Sequence, residues 1–111
     1  MAWTHRERIL AALNHEEPDK VPIDFGGAEF TSITLAGYEK LKKYMGVDTP
    51  TDVMSIIHTC AHPAEEILNK FEVDTRNVQP SAYEGGVDHW VDDNTYYDTF
   101  NVLWKRTEKA V

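Results

Sequence analysis

The spacing of apolar positions changes several times along the chain, and each change predicts an element. Ile9, Leu10 and Leu13 recur at helical spacing behind Thr4 and Glu7, whose Thr-His-Arg-Glu order is a capping-box pattern. A short helix over 4–15 is expected, with an apolar stripe that must dock on a neighbour, and Pro18 ends it. Val21, Ile23 and Phe25 then alternate with Pro22 and Asp24, the period-two signature of a strand. Pro22 cannot donate to a ladder, so that strand belongs at an edge or begins at the proline. Leu35, Tyr38, Leu41 and Met45 stand three or four apart and predict a second helix over ~33–45. Lys40, Lys42 and Lys43 suit the negative end of its dipole, and Gly46 followed by Val47 suits its termination. A third helix is expected from Pro63, with Glu65 and Glu66 in its first turn and Ile67, Leu68 and Phe71 on its apolar face.

Between the second and third helices, Val53–Cys60 is an apolar run that fits either a strand or a buried helical turn. The exits of these two helices echo one another, Met-Gly-Val-Asp-Thr at 45–49 and Phe-Glu-Val-Asp-Thr at 71–75, as though each feeds a following element. Arg76–Gln79 reads as a short strand closed by Pro80, and Ser81–Gly86 as a loop. Aromatic residues then accumulate, and ~88–106 reads as a β-hairpin-like ribbon with Tyr96, Phe100, Val102 and Trp104 on one side and turn material at Asp92-Asp93-Asn94. No linker divides the chain, so residues 1–111 are expected to form one domain. Helices alternating with strands place it in the α/β class, or α+β in isolation.

Composition narrows the setting. With 11 Lys+Arg against 19 Asp+Glu the net charge is −8, which argues against a nucleic-acid or anionic-membrane surface. A single cysteine forms no internal disulfide and fits a reducing cytoplasm. No basic-then-apolar leader opens the sequence, and no apolar run reaches the ~20 residues of a membrane span. At 111 residues the chain is too short for a complete (β/α)8 barrel, which takes ~250.

Two clusters carry candidate chemistry. Asp24 stands at the end of the first expected strand beside Gly26 and Gly27, where α/β folds place ligands. Their alternative is a tight turn in which Asp24 bonds the backbone ahead of it. His58, Cys60 and His62 would share one face of a strand, and His58 and His62 one face of a helix, giving candidate metal ligands. The alternative is a set of partly buried polar side chains. Cys60 as a nucleophile would need a positioned base and an electropositive setting, and no oxyanion donor is identifiable. The acidic pairs Glu16-Glu17, Glu65-Glu66 and Asp92-Asp93 read as solvated. Glu84, Asp88, Asp92, Asp93 and Asp98 surround the aromatic ribbon, which therefore suits protein contact or core packing rather than phosphate.

Three stretches, 4–27, 38–47 and 63–76, together with Tyr-Asp-Thr-Phe-Asn-Val-Leu-Trp-Lys at 97–105, resemble the N-terminal portion of the uroporphyrinogen decarboxylase superfamily. They are most similar to its corrinoid-dependent methyltransferase branch. The resemblance implies part of a (β/α)8 barrel, with Val21–Phe25 as the first barrel strand and Asp24–Gly27 at its mouth. It also implies zinc and a corrinoid protein for a full-length member, with none bound by this chain alone. The decarboxylases' arginine-rich segment is replaced by Asp-Phe-Gly-Gly-Ala-Glu at 24–29, which disfavours decarboxylation. The methyltransferase zinc ligands fall in a second barrel half that is absent, and Glu72 and Asn101 stand where that branch has glycine.

Three functional expectations follow. The first is an N-terminal fragment or subunit of such a methyltransferase, inactive alone and completed by a C-terminal polypeptide. The second is a stand-alone α+β interaction module that self-associates as a homo-oligomer to cover its strand edges, without catalysis. The third is a small metal-binding protein using His58, Cys60 and His62.

Overall fold

A computed structural model describes residues 2–80 and 88–107, and the loop expected over 81–86 lies outside the described residues. The chain divides into two compact units, residues 1–78 and 79–111.

In the first unit the order is α1 (His5–Leu13), a 3-10 turn (Glu29–Thr31), α2 (Leu35–Met45), β1 (Asp52–Ser55), β2 (Cys60–His62) and α3 (Glu65–Lys70). Thr4 starts α1 through a full capping box: its hydroxyl accepts from the Glu7 N–H, and its own N–H donates to the Glu7 carboxylate at 2.8 Å. The Thr34 hydroxyl caps α2. All three helices end alike. His15, Gly46 and Glu72 adopt left-handed backbone at φ 60°, 67° and 50°. The next N–H then reaches back five residues, Glu16 to Ala11, Val47 to Lys42 and Val73 to Leu68, which is the Schellman closure. The echo between 45–49 and 71–75 is therefore a repeated helix end, with Val47 and Val73 both buried behind it.

The ambiguous run 53–60 resolves as a hairpin. β1 pairs antiparallel with β2, Asp52 opposite His62 and Val53 opposite Ala61, and a tight turn over 56–59 carries Thr59 at φ 49°. The Ala61 N–H donates to the Ile33 carbonyl at 2.9 Å, which ties the hairpin to the segment leading into α2. Tyr38, Val47, Ala61 and Ile67 form the core, with Phe25, Ile33, Leu35, Leu41 and Met45 packed around it. The Tyr38 ring is fully buried, and its hydroxyl accepts the Ala64 N–H at 2.8 Å, so the polar tip is satisfied.

In the second unit β3 (His89–Asp92), β4 (Thr95–Tyr97) and β5 (Leu103–Lys105) form an antiparallel meander in the order β3-β4-β5. Trp90, Tyr96 and Trp104 stand opposite one another across the three strands. Asp98 builds the β4–β5 turn by accepting the Phe100 and Val102 N–H groups at 2.9 Å and the Trp104 indole N–H at 2.8 Å. Asn101 sits in that turn at φ 61°.

Several expectations are corrected. The fold is α+β with two small open sheets, not part of a (β/α)8 barrel: every strand pair among the described residues is antiparallel, whereas a barrel needs parallel strands joined through helices. Val21–Phe25 forms no ladder. Its Ile23 peptide instead donates to the Asp74 carboxylate and accepts the Asp74 N–H, both at 2.8 Å, and Pro22 has no N–H to offer a neighbouring strand. Arg76–Gln79 likewise pairs with nothing as a strand. The third helix begins at Glu65 rather than Pro63. The stripe on α1 is not docked: Leu13 is 70% exposed and Leu10 is exposed too, while Arg8 and Ala11 face inward. The ribbon at 88–106 has three strands rather than two, and Phe100 lies at the tip of a turn, off the aromatic row. Among the described residues no helix is long and apolar enough to cross a membrane.

Candidate functional site

Asp24 is taken up by its own turn. Its carboxylate accepts the Gly27 N–H at 3.0 Å and the Thr75 hydroxyl, while the Asn77 amide donates to the Gly27 carbonyl at 3.0 Å. Gly26 is the hinge of this turn. Its φ is +77°, and a Cβ there would fall 2.6 Å from Pro63 Cδ, so both backbone and space call for glycine.

His58, Cys60 and His62 end in three different surroundings. His58 lies in the hairpin turn, where its Nδ1 is 2.6 Å from Glu29 Oε2 and 3.3 Å from Ser55 Oγ, and its ring packs edge-on against Phe30. A serine, a histidine and a carboxylate thus meet, but both partners approach the same ring nitrogen. A nucleophilic triad needs the two nitrogens engaged separately, so this trio pins the 3-10 turn to the hairpin instead. Cys60 is buried, and burial first, then the Glu29 charge, pushes its thiol up, which disfavours the thiolate a nucleophile or metal ligand requires. Among the described residues, no group of three or more His, Cys, Asp and Glu is placed to hold a metal ion.

His62 does meet Gly26. Both line a cavity of about 450 Å³, together with Asp52, Pro63, Arg76 and Asn77. Arg76 is fully committed there: its guanidinium engages Glu65 at 2.8–3.2 Å, the carbonyls of Val73 and Thr75, and the Asn69 side chain. It braces α3 against the 73–77 segment and has no donor left for a ligand.

The strongest electrostatic feature of this unit escaped the sequence reading. Asp74 is fully buried at its side chain and binds Arg8, His5 Nδ1 at 2.7 Å and the Ile23 N–H. Arg8, also buried, turns its other edge to Asp19 at 2.6 and 2.9 Å. Burial alone would raise the Asp74 carboxyl; the bonds from Ile23, His5 and Arg8 outweigh it and hold the group at about 2. This cluster seats α1. The only local signal was a charged side chain, Arg8, on a helix whose apolar stripe is narrow.

The second unit offers a surface instead of a pocket. Tyr96 alone among its described residues is buried. Trp90 is 50% exposed and Phe100 74%, and Val91, Val102, Leu103 and Trp104 are exposed as well. Arg106 lies over the Trp90 ring, 5.8 Å from its centre, and a shallow cavity of about 470 Å³ runs beside them past Asp92 and Asp93.

Comparison with protein-family models, with curated proteins and with solved structures finds no match to this chain. The resemblance to the uroporphyrinogen decarboxylase superfamily is therefore withdrawn, and with it the corrinoid-dependent methyltransferase, its zinc, and the decarboxylase alternative. No family match supports them, the described sheets are open and antiparallel, and no metal cluster exists among the described residues.

Proposed function

We propose that this chain is an interaction module without catalysis, working in the reducing cytoplasm and self-associating through its aromatic three-stranded sheet. One observation carries the proposal: six large apolar residues lie exposed within the described part of a small meander, on both its faces and at one turn. A sheet that small is stable when its apolar residues are covered, and exposed large apolar residues gathered in one small unit mark a contact site. The side-chain chemistry of the first unit agrees. Its thiol is suppressed, His58 is tied at one nitrogen, and Arg8 and Arg76 are spent on internal carboxylates.

The test is light scattering on the full chain across a dilution series. Mass should rise from monomer to dimer over the micromolar range, and Trp104→Ser should shift that rise to higher concentration. A chain that stays monomeric to roughly 100 μM, well above the range of specific association, contradicts the proposal.

A further inference from the structure

We infer that the self-association proposed above, on which this inference rests, runs through one edge in one register: β5 pairs antiparallel with β5 of a second copy, Trp104 opposite Trp104. Hydrogen-bond parity leads there. Residue pairs in an antiparallel ladder alternate between bonded and non-bonded. The Asp98 N–H donates to the Val102 carbonyl at 3.0 Å, and the Arg106 N–H to the Asn94 carbonyl at 2.7 Å. Tyr96 and Trp104, in register midway between these pairs, are therefore the next bonded pair. The peptide groups of Leu103 and Lys105 consequently point away from β4. No described strand lies beyond β5, and Leu103 is 54% exposed.

A second β5 satisfies these outward groups when Leu103 of each copy pairs with Lys105 of the other. Trp104 then falls on the two-fold axis as a non-bonded pair, with Cα atoms ~4.5 Å apart. The row Trp90, Tyr96, Trp104 continues across that axis into its copy. Charge selects this edge over the opposite one. β3 carries a register shift between Trp90 and Asp92, and Asp88, Asp92 and Asp93 crowd it, so two β3 edges meet acid against acid. On β5 each Lys105 meets a leucine, and no like charges are opposed.

The experiment uses the full chain with Cys60→Ser, which leaves no other thiol. Trp104→Cys treated with oxidised glutathione, which takes up the two electrons, should form a disulfide dimer, because ~4.5 Å lies within the Cα spacing a disulfide accepts. Leu103→Cys, facing a lysine, should not. A second arm keeps Trp104: Leu103→Lys opposes two symmetric pairs of like charges and should raise the dimer Kd about tenfold, and adding Lys105→Glu should restore it. Both side chains are exposed, so these changes leave the packing within one copy intact. A dimer indifferent to Leu103→Lys, or cross-linked as readily through Leu103→Cys as through Trp104→Cys, overturns this register while self-association stands. A chain monomeric throughout overturns both.

Discussion

Replacing Asp74 with asparagine keeps the side chain's size and removes the charge on which Ile23, His5 and Arg8 converge. The carboxyl is buried, bonded to Ile23, His5 and Arg8, and held at about 2, roughly two units below its unfolded value of ~3.9. At ~1.4 kcal/mol per unit, the carboxylate contributes ~2–3 kcal/mol to folding at neutral pH. Because the folded-state value is depressed, that contribution is complete above about pH 4 and is lost as pH falls from about 4 towards 2. Asparagine can still accept from the Ile23 N–H, but it leaves Arg8, 5% exposed, against a neutral amide. Urea denaturation followed by circular dichroism should show Asp74→Asn ~2–3 kcal/mol less stable near pH 7, with the gap closing as pH drops below about 4. A gap of the same size at every pH would refute the electrostatic argument and assign the loss to packing. No gap near neutral pH would refute the role of Asp74 altogether.

Three other substitutions or reactions probe the backbone and the core. His15→Gly relieves a non-glycine residue at φ 60° and should stabilise the chain by about 0.5–1 kcal/mol in thermal melts, whereas His15→Ala should not. Gly26→Ala combines φ +77° with an overlap on Pro63 and should cost about 3 kcal/mol, measurable as a lower urea midpoint. Cys60, buried and with its thiol pushed up, should react with a thiol-specific disulfide reagent only as fast as the protein opens; prompt native-state labelling would contradict its burial.

What the sequence revealed was local. The Thr4–Glu7 capping box and the Gly46 helix end depend on residues three to five apart, and the structure has both. What it concealed depends on distance. The alternation at 21–25 looks like a strand, but Arg8 and Asp74, 66 residues apart, draw that segment onto a buried carboxylate instead of a ladder. The stripe on α1 promised a docked helix; the same ion pair seats α1 by its charged face and leaves Leu13 in solvent. Among the candidate site residues, Gly26 and His62 do share a cavity, whereas His58 is drawn off by Glu29 and Asp24 by its own turn. The family resemblance failed for a related reason: short runs such as a capped helix, a strand-like alternation and a helix end are pieces that many folds share.

Amide hydrogen exchange, read residue by residue by NMR at low and high protein concentration, tests the central claim most directly. In the monomer the Trp104 N–H is bonded within the sheet while those of Leu103 and Lys105 face outward, so protection should alternate along β5. Raising the concentration should protect Leu103 and Lys105 as well and leave residues 2–78 unchanged. Exchange along β5 that does not respond to concentration, or new protection confined to the first unit, would contradict it.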